Sequence, residues 1–147
     1  MVILICIVSI LCVPKIMGME TLAVISGSME PYIPIGSLVI INETSFADLN
    51  IGDVVTYRLN DETLVTHRIE SINKEKKEVI TKGDANESND GNPISFDRIV
   101  GKLMWSVPFL GYLTIYMKTP LGIAIMCGIV FILVLLYFLP SVFEKDE

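Results

Sequence analysis

The sequence predicts a mainly β fold, a small β domain that lies between an N-terminal and a C-terminal transmembrane helix. Two apolar segments occupy the ends of the 147-residue chain. Between them, short β-branched and aromatic runs alternate with polar residues and are separated by turn residues. No central stretch sustains the 3.6-residue period of an amphipathic helix. We therefore divide the chain into an anchor (1–19), a β domain (20–118), a second membrane helix (119–140) and a polar tail (141–147).

The N-terminal segment reads as a retained membrane anchor. Residues 1–19 carry one charge, Lys15, and are otherwise almost wholly apolar. A secretory signal peptide has a basic start and a small-x-small cleavage site, and the segment has neither. A removed signal peptide is the alternative.

The C-terminal segment fits a membrane span more closely. Residues 121–139 hold no charge over 19 positions, which is long enough to cross an apolar bilayer core of about 30 Å. Four aromatic residues precede it and suit an interfacial belt, or alternatively the core of the domain: Trp105, Phe109, Tyr112 and Tyr116. Two spans would put both termini on one side of the membrane, and the few flanking charges leave the orientation open.

The central domain is acidic, with 9 Lys and Arg against 14 Asp and Glu over 20–118. This balance argues against nucleic acid as a partner, because phosphate binding needs clustered basic residues. Cys6, Cys12 and Cys127 all lie in the apolar ends, so no disulfide is expected within the domain. One histidine and no cysteine in the domain predict no metal site, and no cofactor is expected.

Six strands are predicted in the domain, at 21–26, 37–42, 53–59, 63–72, 77–82 and 99–106. Asn60-Asp61 predicts a tight hairpin between the third and fourth strands, and 71–79 a second hairpin with a charged tip. Residues 82–93 form a long polar loop of the kind that often carries function.

Three features of the domain suit nucleophilic catalysis. The segment SGSMEP (26–31) follows a short apolar run, and Gly27 in it suggests a backbone conformation closed to other residues. A serine needs a base to remove its proton, and a neutral histidine such as His67 suits that role. Asp84 and Asp90 are the candidate acceptors for the second imidazole nitrogen. The alternative is that a lone histidine is a structural residue.

Five segments of the domain together resemble, in order, the conserved boxes of type I signal peptidases. They are SGSMEP (26–31), IGDVVTY (51–57), VTHRI (65–69), TKGDANESND (81–90) and VGKLMWSVPFLGYL (100–113). His67 stands where the better-known bacterial enzymes have a lysine base. The chain therefore resembles the endoplasmic-reticulum-type branch, with a Ser-His-Asp site, that occurs in archaea, eukaryotes and some Gram-positive bacteria.

The resemblance implies a role for each candidate residue. Ser28 would be the nucleophile, His67 the general base and Asp90 its orienting carboxylate. Ser26 and the backbone N–H of Ser28 would form the oxyanion hole. Asp84 would support the loop, and it stays the alternative partner of the imidazole.

The resemblance also implies an activity: a membrane-bound serine endopeptidase that removes signal peptides from exported preproteins after small residues. Pocket walls are expected around 24–26 and 53–57. The implied partners are signal peptides, the lipid bilayer and other secretion or peptidase subunits. The implied location is the plasma membrane with the domain outside in a prokaryote, or the endoplasmic reticulum membrane with the domain in the lumen in a eukaryote.

Two other readings of the sequence compete with this one. The first is a catalytically silent, membrane-anchored β domain that binds or scaffolds secretion partners. The second is a self-cleaving, repressor-like peptidase, but that class has a lysine base and a DNA-binding half, and this chain shows neither.

Overall fold

Seven antiparallel strands form one sheet in the computed structural model, which describes residues 13–143 and only the backbone at 133–134 and 136–143. The strands are β1 (Glu20–Ala23), β2 (Leu38–Asn42), β3 (Val54–Arg58), β4 (Leu64–Asn73), β5 (Glu78–Lys82), β6 (Ile94–Ser95) and β7 (Ile99–Val107). Their order across the sheet is β1-β2-β7-β3-β4-β5-β6. The prediction of a mainly β fold is thus confirmed.

All six predicted strands are present, and β1 ends at Ala23, earlier than expected. The short strand β6 was not predicted, because it pairs with β5 at two positions only and shows no alternation. The prediction of a two-residue hairpin at Asn60-Asp61 is wrong. The strands are connected by residues 59–63, and the Leu59 N–H donates to the Thr63 carbonyl across this loop. The Asn60 carboxamide oxygen accepts from the N–H groups of Glu62 and Thr63, which stabilises this longer loop.

The second hairpin agrees with the prediction. Asn73 and Glu78 face each other at the ends of β4 and β5, and charged residues form the exposed tip between them. Lys77 in this tip has a φ of 53°, as the turn back into β5 requires.

Two buried clusters hold the sheet together. One lies around β3, β4 and β5 and comprises Leu49, Val55, Tyr57, Ile69, Val79 and Ile94. The other comprises Met29, Ile33, Val39 and Val54. The second cluster matters for the site, because Met29 directly follows Ser28 in the chain and is only 2% exposed.

Two helices follow the sheet, α1 (Leu110–Tyr116) and α2 (Pro120–Phe143). The Thr119 hydroxyl accepts from the Gly122 N–H at 3.0 Å, and Pro120 occupies the first turn, so α2 begins with a standard N-terminal cap. The chain separates into two compact units, one ending at Gly111 and one beginning at Tyr112.

The two predicted membrane segments are described only in part. Residues 1–12 of the predicted anchor lie outside the described residues, and residues 13–16 are helical. Among the described residues, no single helix meets the length and hydropathy expected of a membrane span, although Leu110–Tyr116 and Pro120–Ile132 meet them as a strongly bent pair. Trp105 is 62% exposed and Phe109 is also exposed, so the reading that they fill the domain core is wrong.

Candidate active site

The candidate site lies on one face of the sheet, where β3, β4 and β5 run side by side. His67 lies on β4 opposite Val55 of β3, so Tyr57, two residues along β3, faces the same side. Thr81 of β5 pairs with Ile69, two residues beyond His67, and shares that face. Strand alternation therefore brings three polar side chains from three strands to one place.

Asp90 contacts the imidazole of His67. The distance from His67 Nδ1 to Asp90 Oδ2 is 2.7 Å, and the His67 residue is 7% exposed. Asp90 comes from the loop after β5, and Gly91, with a φ of 72°, turns the chain directly behind it. The Asp90 N–H donates to the Thr81 carbonyl at 2.9 Å, which fixes the Asp90 backbone beside β5.

Two hydroxyl groups share the same carboxylate oxygen. Thr81 Oγ1 lies 2.5 Å and the Tyr57 hydroxyl 3.1 Å from Asp90 Oδ2. Burial acts to raise the pKa of Asp90, but the hydrogen bonds from His67, Thr81 and Tyr57 together with the His67 charge hold that pKa below its ordinary value. At neutral pH the Asp90 carboxylate is therefore ionised and accepts these hydrogen bonds.

The Tyr57 phenol keeps its proton at neutral pH and can therefore donate a hydrogen bond. Burial, together with the nearby Asp90 charge, raises the pKa of the Tyr57 phenol to about 12. Its ring packs in the hydrophobic cluster of β3, β4 and β5 and lies edge-on to the imidazole, with ring centroids 6.4 Å apart.

Met29, the residue after Ser28, holds the turn at 26–28 in place. The Met29 side chain is buried in the second cluster, and its carbonyl accepts from the Ile33 N–H at 2.8 Å. The hydroxyls of Ser26 and Ser28 lie 3.5 Å apart. Among the described residues the Ser28 N–H has no acceptor, so it is free to donate to a substrate.

Gly27 does not have the special backbone conformation that we expected. Its φ lies outside the left-handed range, and a Cβ there would make ordinary contacts of 3.5 Å with Glu30 and Ile35. The tight approach is at Gly83, where a Cβ would lie 2.6 Å from the Ser28 carbonyl oxygen. The Ala85 N–H donates to that oxygen at 2.9 Å, so the serine turn and the Asp90 loop are directly joined.

No hydrogen bond joins the Ser28 hydroxyl to His67 within the described part of the chain. The Nδ1 atom of His67 is taken by Asp90, which leaves Nε2 as the nitrogen available to a serine. Hydrogen bonds of this kind are often long in proteins without substrate and tighten when substrate binds.

Asp84 contacts Arg68 instead of the imidazole. Arg68 Nε and Nη2 donate to the two Asp84 oxygens at 2.9 and 2.7 Å, and Nη1 donates to the Gly52 carbonyl. The guanidinium also lies 4.7 Å from the centre of the Tyr32 ring. Asp84 is thus tied to β4 one residue away from His67.

Three of these side chains were not predicted from the sequence: Tyr57 and Thr81, which contact Asp90, and Arg68, which contacts Asp84. Strand alternation was the available signal, because it places Tyr57 and Thr81 on the His67 face. Of the expected pocket walls, residues 54–57 are buried, whereas Ile25 and Ser26 are exposed. Over residues 13–143, no three His, Cys, Asp or Glu side chains are grouped as a metal site would require.

Known proteins resemble more than half of this chain. Signal peptidase I W of Bacillus subtilis is 39% identical over 89 residues, which cover 58% of this chain and 47% of that protein. The signal peptidase complex catalytic subunits SEC11 of Fusarium vanettenii and Chaetomium globosum are 33% and 31% identical. Each match covers 77% of this chain and 73% of the relative. The chain thus spans about half the length of the Bacillus relative. No protein-family model matches the chain.

These relatives place the chain among the serine endopeptidases. It belongs to the type I signal peptidases, the enzymes that remove signal peptides, and to their endoplasmic-reticulum-type branch, which includes the SEC11 subunits.

Proposed function

We propose that this chain is an active, membrane-bound signal peptidase in which Ser28, His67 and Asp90 carry out the cleavage. The contact between His67 Nδ1 and Asp90 Oδ2 is the observation that carries the proposal. A carboxylate on Nδ1 holds the proton there and leaves Nε2 without one, which is the tautomer that a general base requires.

In the proposed reaction, each of these residues has one role. Ser28 Oγ attacks the scissile carbonyl carbon as His67 Nε2 takes its proton, and the carbonyl oxygen becomes an oxyanion. The Ser28 N–H and the Ser26 hydroxyl donate to this oxyanion. The imidazolium then protonates the leaving amine, and a water molecule, deprotonated by the same imidazole, releases the acyl group from Ser28.

Asp84 supports the loop in this proposal. Its two hydrogen bonds with Arg68 hold the start of the loop, and Asp90 near the loop end serves the imidazole. The substrate is the signal peptide of an exported preprotein, cleaved after small residues. The SEC11 relatives are named as subunits of a complex, which supports further peptidase subunits as partners.

Membrane attachment is part of the proposal. The uncharged segment 121–139 supports it, as do the exposed aromatics Trp105 and Phe109, which suit an interfacial region. The location would be the plasma membrane or the endoplasmic reticulum membrane, according to the host.

The test is cleavage of a preprotein by the full chain in detergent, with the cut mapped by mass spectrometry. Wild type should release a mature protein whose new N-terminus follows a small residue, and Ser28→Ala should release none. Ser26→Ala should retain activity reduced by about 10²–10³, the usual scale for one oxyanion donor. Equal cleavage by wild type and Ser28→Ala would exclude the serine mechanism, and no cleavage by wild type would favour the silent scaffold.

A further inference from the structure

Three donors meet at one oxygen of Asp90, and two of them take no part in the proposed reaction. His67 Nδ1, Thr81 Oγ1 and the Tyr57 hydroxyl lie 2.7, 2.5 and 3.1 Å from Asp90 Oδ2. We propose that Tyr57 and Thr81 are positioning residues that hold the Asp90 carboxylate against the imidazole. This inference rests on the proposed function, since it assigns the two hydroxyls a role in orienting the base.

The two hydroxyls lie on strands of the sheet, whereas Asp90 lies in a loop. Tyr57 lies on β3 and Thr81 on β5, the strands that flank β4 and His67. Tyr57 is 4% exposed and Thr81 fully buried, so neither reaches a substrate. Asp90 lies in the loop between β5 and β6, and a loop residue keeps one orientation only where other groups fix it.

A fixed carboxylate oxygen determines which imidazole nitrogen carries the proton. If Oδ2 turns away from Nδ1, the proton distributes between the two nitrogens, and part of the population loses the base at Nε2. The two hydroxyls also favour the ionised carboxylate, because hydroxyl donors stabilise a charged acceptor. Tyr57 and Thr81 would thus act on the reaction through Asp90.

A second hydroxyl pair nearby shows that buried hydroxyls in this sheet need no carboxylate. Thr56 Oγ1 and Thr66 Oγ1 lie 2.8 Å apart and satisfy each other. Thr56 is adjacent to Tyr57 on β3 but points to the opposite face of the sheet. Thr66 is adjacent to His67 on β4 and points to that same opposite face, so Thr66→Val is a matched control that removes a hydroxyl close to the site without touching Asp90.

The first experiment compares kcat and KM of Tyr57→Phe, Thr81→Val and Thr66→Val on one preprotein. Tyr57→Phe keeps the ring, and Thr81→Val replaces the hydroxyl with a methyl group of similar size, so neither variant leaves a large cavity. Each should lower kcat on the order of tenfold, the scale of a hydrogen bond to a charged group, with KM unchanged. Thr66→Val should keep the wild-type kcat per folded molecule, with the folded fraction of each variant determined by melting in the same detergent.

The second experiment reads the imidazole directly, because the chain has a single histidine. Nitrogen-15 NMR of the Ser28→Ala protein gives the shares of the two neutral tautomers without need for activity. The Nδ1–H form should dominate, and adding Tyr57→Phe or Thr81→Val should increase the Nε2–H share, whereas Thr66→Val should not. Unchanged tautomers in both variants would overturn the inference, whether or not kcat falls. The proposed function would still stand if wild type cleaves and Ser28→Ala does not.

Discussion

Arg68 and Asp84 form a bidentate ion pair. Arg68 Nε lies 2.9 Å from Asp84 Oδ1, and Arg68 Nη2 lies 2.7 Å from Asp84 Oδ2. Arg68 directly follows His67, and Asp84 begins the loop that contains Asp90. The ion pair therefore connects the same strand and the same loop as the contact between His67 and Asp90. The hydrogen bonds that the guanidinium donates to Asp84 also hold the pKa of Arg68 above its usual value, so the pair stays charged.

We expect Asp84→Asn and Arg68→Lys to lower stability modestly. Each loses the paired geometry of a guanidinium and a carboxylate, and because both side chains are partly exposed the loss should be about 1 kcal/mol. Thermal melting of the full chain in detergent measures this, and the double variant should cost little more than either single one. Fully additive losses would mean that the two side chains stabilise the fold independently.

The two loop carboxylates should differ in their effect on catalysis. Asp90→Asn should keep the fold but lose the acceptor that fixes the tautomer, with a rate loss that approaches about 10⁴. Asp84→Asn should lower cleavage less, because it affects the imidazole only through the loop. Both variants are assayed on one preprotein and corrected for folded fraction. Normal cleavage by Asp90→Asn together with a folded, inactive Asp84→Asn would reverse the two roles.

The sequence predicted the strands well because alternation is a local property. VVTYRL and LVTHRI each show which residues share a face, and the structure pairs them as β3 and β4. The ion pair between Arg68 and Asp84 was not predicted, since its partners lie 16 residues apart and no spacing rule connects them. The connection at 59–63 was predicted too short, because the Asn60 side chain adds hydrogen bonds that strand propensity does not include.

The site was predicted by resemblance more than by pattern. Residue types alone left both Asp84 and Asp90 open as partners of His67. The structure shows Asp90 at Nδ1 because β5 ends beside β4 and Gly91 turns the chain behind it. That outcome depends on the register of β4 and β5, including its shift between Ile69 and Ser71, which no sequence pattern indicates.

We expect Asp90 to contribute to the loss of stability in acid. Its pKa is lower in the folded protein than the ordinary 3.8, so the unfolded chain binds more protons as the pH falls. The contribution is complete above about pH 4 and disappears as the pH falls through the lower folded-state pKa. Melting temperatures of wild type and Asp90→Asn between pH 7 and pH 2 should therefore converge in acid. A constant difference over this range would contradict the prediction.

Gly83 should tolerate no side chain, although its neighbour in the site, Gly27, should. An alanine Cβ at Gly83 would lie 2.6 Å from the Ser28 carbonyl oxygen and 2.8 Å from Asn86 Nδ2. The Asn86 side chain is exposed and can turn away, but a shift of the Ser28 backbone would disrupt its 2.9 Å hydrogen bond with the Ala85 N–H. Gly83→Ala should therefore displace the nucleophile from the loop and lower kcat by at least about 10²-fold, as displacements near 1 Å do.

Gly27→Ala is the matched control for Gly83→Ala. Its Cβ would meet its neighbours at 3.5 Å, an ordinary contact, and its backbone has no left-handed φ. We expect its melting temperature to match that of wild type and its cleavage rate to stay within a fewfold, although it lies between Ser26 and Ser28. The measurements are melting and preprotein cleavage for both variants under one set of conditions. If Gly83→Ala cleaves as fast as Gly27→Ala, the contact between the serine turn and the loop does not position the nucleophile.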